Sequence, residues 1–242
     1  MKIYGLLGQS LGYSFSKSFF EEYFKKNAIE AHYSNFEIQS LATLEEVFQK
    51  NLSGLNVTIP YKEAIMPFLD ELSHEAKEIG AVNVVRFLNG KKIGYNTDAY
   101  GFQQSIKPFL TNKHERALIL GTGGASKAVA YVFKSIGMDV IYCSREPQSD
   151  NEFPYSAINE HMLNSCKVIV NCTPLGTFPN TEEMVDFPFE WLTSDHLVVD
   201  LIYNPSKTKF LRKAEENGAV ILNGESMLKE QALKSWEIWN KE

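Results

Sequence analysis

The chain has 242 residues, 44% of them hydrophobic, so it can bury a core as one large or two small domains. Its 24 basic and 30 acidic residues give a net charge of −6 without long runs of one sign, which argues against nucleic acid or an anionic membrane as a partner. Without a signal-peptide pattern or a membrane-length apolar segment, we expect a cytoplasmic protein. The three cysteines lack metal-site spacing, so we expect buried, reduced thiols and no metal.

Strand and helix patterns are mixed in the first hundred residues. Strands are predicted at Ile3–Leu7, Tyr33–Ile38, Leu55–Ile59, Gly80–Phe87 and Lys92–Tyr95. Helices are predicted around Phe19–Phe24, at Leu44–Phe48, within Met66–Ile79 and at Tyr100–Ile106. Asn89-Gly90 predicts a two-residue hairpin turn between the last two of these strands.

Several polar residues in this region have two interpretations. Asn56 and Thr58 share one face of an alternating strand, and Lys62 follows Pro60, so they could line a polar pocket or lie on an exposed edge strand beside a surface lysine. The serines between Gln9 and Ser18 are turn or N-cap residues in the simpler interpretation. An N-cap role is likewise the simpler interpretation of Asp98.

The segment from Ala117 to Arg145 has the pattern of one βαβ unit. An apolar strand runs into Gly121-Thr122-Gly123-Gly124, and a helix with an apolar stripe and a second buried strand follow. Glycines in such a turn let backbone N–H groups approach a pyrophosphate, which predicts a dinucleotide site, although a structural turn can use the same glycines. Arg145, after the second strand, suits a 2′-phosphate and favours NADP, whereas Glu146 favours NAD.

The rest of the chain alternates strands and helices, which predicts a parallel sheet. Further strands are predicted at Val168–Asn171, Leu197–Leu201 and Ala219–Leu222, with helices at Ile158–Leu163 and Phe210–Asn217 and a loop at Pro147–Phe153. Gly121, Arg145, Thr173 and Tyr203 all follow strands and are predicted to share one crevice. Gln231 lies on the apolar side of a terminal helix, where its amide is either capped locally or offered to a ligand.

Eight motifs in this order resemble those of the shikimate dehydrogenase family, over nearly the whole chain. They are Ser14-Phe15-Ser16, Asn56-Val57-Thr58-Ile59-Pro60-Tyr61-Lys62, Gly80-Ala81-Val82-Asn83, Gly94-Tyr95-Asn96-Thr97-Asp98, Gly121-Thr122-Gly123-Gly124-Ala125-Ser126, Asn171-Cys172-Thr173-Pro174-Leu175-Gly176, Tyr203-Asn204-Pro205, and Gly224-Glu225-Ser226-Met227-Leu228 with Gln231.

The resemblance implies an α/β fold in which a Rossmann-type parallel-sheet cofactor domain and an α/β substrate domain have a cleft between them. The expected boundaries are 1–99 for the substrate-binding domain, 100–223 for the NADP-binding domain and 224–242 for a C-terminal helix that returns to the substrate domain. The implied activity is the reversible reduction of 3-dehydroshikimate to shikimate with NADPH, in aromatic amino-acid biosynthesis. The implied partner is this small molecule, and the chain would be a monomer or a homodimer.

The resemblance also implies roles for individual residues. Lys62 and Asp98 would form the catalytic pair. The substrate would be bound by Ser14, Ser16, Thr58, Asn83, Tyr203 and Gln231. The cofactor would be bound by Gly121, Gly123, Gly124, Ala125, Ser126, Ser144, Arg145, Thr173, Leu201 and Gly224. Whether Lys62 transfers a proton or only stabilises charge stays open.

The chain departs from the family pattern at two places. Tyr13 and Lys17 replace the usual histidine and proline around the two serines, and no second basic residue follows Arg145 closely. The second departure keeps a quinate/shikimate dehydrogenase that uses NAD or both cofactors as an alternative. A non-catalytic dinucleotide or metabolite sensor is the alternative from another class, and it would be expected to lack the Lys62–Asp98 pair.

Overall fold

The computed structural model describes residues 1–12 and 14–241. The strands are β1 (Lys2–Gly8), β2 (Ala31–Glu37), β3 (Gly54–Val57), β4 (Glu71–Leu72), β5 (Val84–Leu88), β6 (Lys91–Tyr95), β7 (Arg116–Leu120), β8 (Asp139–Ser144), β9 (Glu152–Pro154), β10 (Val168–Asn171), β11 (Leu197–Asp200) and β12 (Val220–Asn223). The α-helices are α1 (Phe15–Lys26), α2 (Leu44–Phe48), α3 (Tyr61–Ala64), α4 (His74–Ile79), α5 (Asp98–Ile106), α6 (Gly124–Ser135), α7 (Glu160–Ser165), α8 (Lys209–Glu216) and α9 (Glu225–Asn240). Unit 1 is Met1–Thr97 with Gln231–Glu242, and unit 2 is Asp98–Glu230.

Unit 1 is built on a mixed sheet with the strand order β2-β1-β3-β5-β6-β4. β1 pairs in parallel with β2 and β3, whereas β5 pairs antiparallel with β3 and β6. β3 is therefore an internal strand, and all of its residues are buried. An exposed edge strand, one of the two interpretations of the Leu55–Ile59 segment, is wrong.

An apolar core covers each face of this sheet. On one face, aliphatic residues of β3 and β5 pack with α2. On the other face, Tyr4 and Phe20 pack with Trp239 of α9, whose indole Nε1 donates to the carbonyl of Val85 at 3.1 Å. Gly54 makes room for this ring, because a Cβ at that position would overlap the indole. The last part of α9 is thus an integral part of the core of unit 1.

Unit 2 contains a sheet in which every described strand pair is parallel, with the order β12-β11-β10-β7-β8-β9. Numbered from β7, this is the order 3-2-1-4-5-6 of the Rossmann fold, in which ligands bind where the strand order reverses. The reversal lies between β7 and β10. Residue pairing places Leu120, Asn171, Asp200 and Asn223 opposite one another, so four strands reach the same level at their carboxyl ends.

The helix after β7 forms for local reasons. Its small and aliphatic residues at helical spacing, such as Ala128 and Val129, are buried against the sheet. Phe133 packs edge-on against Phe102 of α5, with ring centroids 5.3 Å apart. Gly137, with φ of +80°, lets the chain turn from the helix into β8. The predicted βαβ unit and parallel sheet are confirmed.

Other local predictions had mixed outcomes. The hairpin turn is confirmed, because Asn89 and Gly90 have φ of +52° and +77° between the antiparallel strands β5 and β6. The helical prediction for Met66–Ile79 holds only from His74, since a short 3-10 turn and β4 precede it and Ser73 caps α4. The loop predicted at Pro147–Phe153 runs into the edge strand β9. No helix among residues 1–12 and 14–241 is long and apolar enough to cross a membrane.

Candidate active site

The glycine turn after β7 brings the backbone close to a neighbouring segment. Gly121 has φ of +98°, its amide donates to the carbonyl of Cys143 at 2.8 Å, and a Cβ on it would lie 3.1 Å from Cγ2 of Thr173. Only glycine adopts this backbone conformation readily. The turn therefore lies against the segment after β10, at the point where the strand order reverses.

The N-terminus of α6 is open to an anion. Gly123 is the N-cap, no side chain caps the helix, and no acidic residue lies in its first turn. A Cβ on Gly123 would meet nothing within 4 Å. The first N–H groups of a helix have no partner within it and carry partial positive charge. Gly124 and Ala125, which begin the helix, can therefore offer their N–H groups to a pyrophosphate.

Ser126 has a local hydrogen bond in this turn. Its hydroxyl donates to the carbonyl of Gly123 at 2.6 Å, and the residue is buried. This bond fixes the turn itself. The cofactor contact predicted for Ser126 stays a prediction.

The end of β8 presents two polar groups that form no hydrogen bond within the part of the chain that the structure describes. The hydroxyl of Ser144 is buried and makes no hydrogen bond with the described residues. Buried polar groups are nearly always paired, so this hydroxyl suits a contact with a bound molecule. The next residue, Arg145, is exposed and forms no hydrogen bond or ion pair within residues 1–12 and 14–241. Its guanidinium is available to a phosphate, which it can bind through two parallel hydrogen bonds. These features fit NADP(H).

The loop after β11 contacts the residue that precedes α9. Leu201 donates its amide to the carbonyl of Asn171 at 3.1 Å, and Gly224 donates its amide to the carbonyl of Ile202 at 3.1 Å. A Cβ on Gly224 would overlap the carbonyl of Leu201, so only glycine fits there without a shift of the backbone. The structure therefore brings Leu201 and Gly224 together.

A buried carboxylate that the sequence analysis did not select lies at the end of β11. Asp200 accepts from the hydroxyl of Thr208 at 2.6 Å, the amide of Ile202 at 3.1 Å and the side-chain amide of Asn171 at 3.1 Å. Burial nevertheless raises its pKa from 3.8 to about 6, because the three hydrogen bonds only partly offset desolvation. The available sequence signal was an acidic residue directly after the apolar run of β11.

In unit 1, a chain of buried hydrogen bonds connects two of the predicted substrate residues, Asn83 and Gln231. Asn56 accepts from the hydroxyl of Tyr33 at 2.7 Å, and its amide donates to the carbonyl of Asn83 at 3.3 Å and to Ser235 at 3.0 Å. Ser235 donates to the carbonyl of Gln231 at 2.8 Å. Ser16 lies near this group, because its side chain partly offsets the rise that burial causes in the pKa of Tyr33.

The side chain of Asn83 holds the segment that follows β6. Its oxygen accepts from the backbone amide of Thr97 at 2.7 Å, and its nitrogen donates to the hydroxyl of Thr97 at 3.0 Å. The same hydroxyl lies 3.2 Å from that of Ser235. Asn56 was recognised from the sequence as a residue that could line a polar pocket, whereas Tyr33, Thr97 and Ser235 were not selected because their partners are distant in sequence.

Lys62 lies on a short helix that is fixed on both sides. The preceding Tyr61 donates its amide to the carbonyl of Thr58 at 2.9 Å and its hydroxyl to the carbonyl of Ile38 at 2.6 Å. The carbonyl of Lys62 accepts from the amide of Val82 at 2.7 Å. Both Thr58 and Lys62 are half-buried. These contacts place both residues just beyond the carboxyl end of β3.

The remaining predicted residues lie at element ends. Ser14 is the N-cap of α1, and its hydroxyl oxygen accepts from the amide of Lys17 at 3.2 Å. Asp98 is buried and is the first residue of α5, and Tyr203 is half-buried in the loop after β11. Tyr13, where the family motif differs, lies outside the described residues.

The thiols lie in apolar surroundings. Cys143 and Cys166 are buried in the core of unit 2, and burial raises their pKa values to about 12 and about 11. Burial also raises the pKa of Cys172. All three are unpaired; Cys143 and Cys166 are buried as predicted, whereas Cys172 is only half-buried. Residues 1–12 and 14–241 contain no group of three or more His, Cys, Asp or Glu side chains that could hold a metal ion.

The fold and the glycine turn define a dinucleotide-binding α/β protein. The family model described as the shikimate dehydrogenase substrate binding domain matches residues 6–85, and the NAD binding domain of D-isomer specific 2-hydroxyacid dehydrogenases matches residues 83–188. The shikimate dehydrogenase (NADP(+)) of Clostridium botulinum (strain Hall) is 37% identical over 97% of this chain and 95% of the relative. That of Aquifex aeolicus is 38% identical over 99% of this chain and 91% of the relative. The chain belongs to the shikimate dehydrogenase family.

Two solved structures are similar to this chain over nearly its whole length. The Thermus thermophilus shikimate 5-dehydrogenase in complex with NADP(H) and shikimate has a TM-score of 0.87 and 29% identity, over 99% of this chain and 94% of that one. The Corynebacterium glutamicum quinate dehydrogenase in complex with NAD has a TM-score of 0.87 and 28% identity, over 99% and 93%. The predicted resemblance and the α/β fold class are confirmed, and the overall fold is common to both kinds of enzyme.

The raised pKa of Asp200 predicts how the free energy of unfolding depends on pH. Because burial raises this pKa to about 6, the folded chain binds the proton more tightly than the unfolded chain, and the free energy of unfolding decreases as the pH rises from about 4 to 6. The total decrease in the free energy of unfolding is about 3 kcal/mol, and about 1 to 2 kcal/mol of this decrease occurs between pH 5 and 8. We expect urea unfolding to show this decrease in the wild type relative to Asp200→Asn. Identical pH dependence in both proteins would contradict the ionisation of a buried Asp200.

Proposed function

We propose that this chain interconverts shikimate and 3-dehydroshikimate with NADP(H), as an oxidoreductase acting on a CH–OH group. The observation that carries the proposal is the 37% identity, over 97% of the chain, to a relative named shikimate dehydrogenase (NADP(+)). The glycine turn, the uncapped N-terminus of α6 and the unpartnered hydroxyl of Ser144 support the cofactor. Gly121, Gly123, Gly124 and Ala125 hold the pyrophosphate in this proposal, and Ser144 and Arg145 hold the adenosine end.

Substrate binding and cofactor binding are assigned to separate domains, with the boundaries that the sequence predicts. Residues 1–99 bind the substrate, residues 100–223 bind NADP(H), and the helical segment 224–242 returns to the substrate domain. The family models support this division, because the substrate binding domain matches residues 6–85 and a nucleotide-binding domain matches residues 83–188. The packing of Trp239 against Tyr4 supports the role of the last segment.

The proposed chemistry depends on one acid–base pair. When bound, the cofactor supplies or accepts a hydride at the substrate's ring carbon. In the reduction, negative charge develops on the ketone oxygen, and the ammonium group of Lys62 stabilises this charge and donates the proton. In the oxidation, the same nitrogen accepts the proton from the hydroxyl. Asp98 orients Lys62 and accepts a hydrogen bond from a substrate hydroxyl.

The remaining predicted residues orient the substrate in this proposal. Ser14 and Ser16 donate to its carboxylate, and Thr58, Asn83, Tyr203 and Gln231 contact the ring and its hydroxyls. Thr173, Leu201 and Gly224 bound the nicotinamide side, and Ser126 supports the turn. The hydrogen bonds that connect Asn83 and Gln231 through Asn56 and Ser235 support a common binding region in unit 1.

Partners and location complete the proposal. The proposed partner is the small-molecule substrate, and neither nucleic acid nor a membrane is a partner. The chain acts as a monomer or a homodimer. We place it in the cytoplasm, and its three unpaired cysteines support a reducing compartment.

The alternative is a dehydrogenase that accepts quinate or NAD. Two observations favour it as a second candidate. The quinate dehydrogenase in complex with NAD has the same TM-score, 0.87, as the shikimate enzyme in complex with NADP(H). Glu146 also places a carboxylate directly after Arg145, where it opposes a 2′-phosphate.

Loss of the amine of Lys62 tests the catalytic assignment. We expect Lys62→Ala to lower kcat by roughly 10² to 10⁴, because one positioned acid–base group contributes about that much. Shikimate binding, measured by calorimetry, should stay within a few-fold of the wild type. Lys77→Ala removes an exposed lysine of the same unit and is the matched control. Near-normal turnover of Lys62→Ala would reject its role.

Cofactor selectivity tests Arg145. We expect Arg145→Ala to raise the apparent KM for NADP by about 10- to 100-fold, the size of a lost hydrogen bond to a charged group. The KM for NAD should change far less, because NAD lacks the 2′-phosphate. Arg212→Ala removes an exposed arginine on α8 and serves as control. Equal effects of Arg145→Ala on both cofactors would contradict the assignment.

A further inference from the structure

A group of four side chains lies at the carboxyl ends of β10 and β11 and in the segments that follow them. Asn171 and Asp200 are paired in register on these neighbouring parallel strands, and the amide nitrogen of Asn171 donates to Oδ1 of Asp200 at 3.1 Å. On the other side, Thr208 donates its hydroxyl to Oδ2 of Asp200 at 2.6 Å. We call Thr173, Asn171, Asp200 and Thr208 the strand-end network.

The network holds the segment after each strand. Oδ1 of Asn171 accepts from both the backbone amide and the hydroxyl of Thr173, at 3.0 and 2.7 Å. Oδ1 of Asp200 accepts from the backbone amide of Ile202 at 3.1 Å. The hydroxyl of Thr208 accepts from the amide of Leu211 and so caps α8. One carboxylate therefore fixes the segments after β10 and β11 and the start of α8.

These segments lead to the residues assigned to the nicotinamide side of the cofactor. Thr173 lies against the glycine turn, where a Cβ on Gly121 would be 3.1 Å from its Cγ2. The segment after β11 contacts Gly224 through the carbonyl of Ile202. A carboxylate suits this position because its two oxygens can accept several hydrogen bonds at once. Among the described residues, the hydrogen bonds of the network include neither Ser144 nor Arg145, the residues assigned to the adenosine end.

We propose that Asp200 is a positioning residue for the nicotinamide end of the cofactor site, acting on Thr173 through Asn171 and on the loop after β11 through the amide of Ile202. The inference rests on the proposed function. It predicts that loss of the carboxylate loosens the nicotinamide end while the adenosine end keeps its geometry.

Binding of two ligands distinguishes an effect at the nicotinamide end from an effect at the adenosine end. NADP spans the whole site, whereas 2′,5′-ADP carries only the adenosine end with its 2′-phosphate. We expect Asp200→Ala to weaken NADP binding about tenfold, as for one or two lost contacts, and to leave 2′,5′-ADP binding within about twofold of the wild type. The kcat for shikimate should decrease by roughly 10- to 100-fold, because small displacements of reacting groups have effects of that order.

Conservative and control variants distinguish positioning from general stability. Asp200→Asn keeps one acceptor oxygen and the side-chain volume, and it should restore NADP binding to within about threefold of the wild type. Asp195→Asn removes an exposed carboxylate just before β11, where it pairs with Lys113 at 2.7 Å, and should change neither affinity. If Asp200→Ala does not fold, Asn171→Leu, which fills similar volume and removes the link to Thr173, should show the same difference between the ligands.

The two affinities, for NADP and for 2′,5′-ADP, either support or overturn the role of Asp200. A tenfold loss confined to NADP supports the inference. Equal losses for NADP and 2′,5′-ADP, or no loss for either, overturn it. A wild type that binds NADP without oxidising shikimate would contradict the proposed function, and the two affinities would still test Asp200.

Discussion

Buried side-chain amides that must find hydrogen-bond partners fix the geometry at the end of a central strand in each unit. Asn56 of β3 and Asn171 of β10 are both almost fully buried. An unpaired amide in such a position would destabilise the fold by about 1 to 3 kcal/mol. Asn56 finds partners on Tyr33 and Ser235, and Asn171 finds them on Thr173 and Asp200. Thr173 is itself a proposed site residue, and Ser235 hydrogen-bonds to another, Gln231.

Local signals predicted much of the fold. The Asn89-Gly90 turn, the glycine turn at Gly121 and the apolar stripe of α6 each depend on a few neighbouring residues. The edge strands β4 and β9 were missed because two or three residues give no readable alternation. Ser235 lies 179 residues from its partner Asn56, so their contact has no local signal. Asp200 was missed because its partner Asn171 lies 29 residues away, and a single acidic residue inside the predicted strand Leu197–Leu201 gives no local signal of a role.

Selectivity depends on side chains that the fold does not determine. A shikimate enzyme in complex with NADP(H) and a quinate enzyme in complex with NAD resemble this chain equally, with TM-scores of 0.87. The shared Rossmann order explains a dinucleotide site but not the 2′-phosphate preference. We propose that Ser144, Arg145 and Glu146, at the end of β8, determine that preference. We likewise propose that the polar residues at the strand ends of unit 1 determine the choice of substrate.

The most direct test of the account is nicotinamide reduction by the purified protein. Shikimate and quinate should each be offered with NADP and with NAD, in four separate assays. We expect shikimate with NADP to give much the highest kcat/KM. Comparable rates with quinate or NAD would contradict the narrow selectivity and favour the broader relatives. No turnover in any of the four assays would contradict the enzymatic assignment itself.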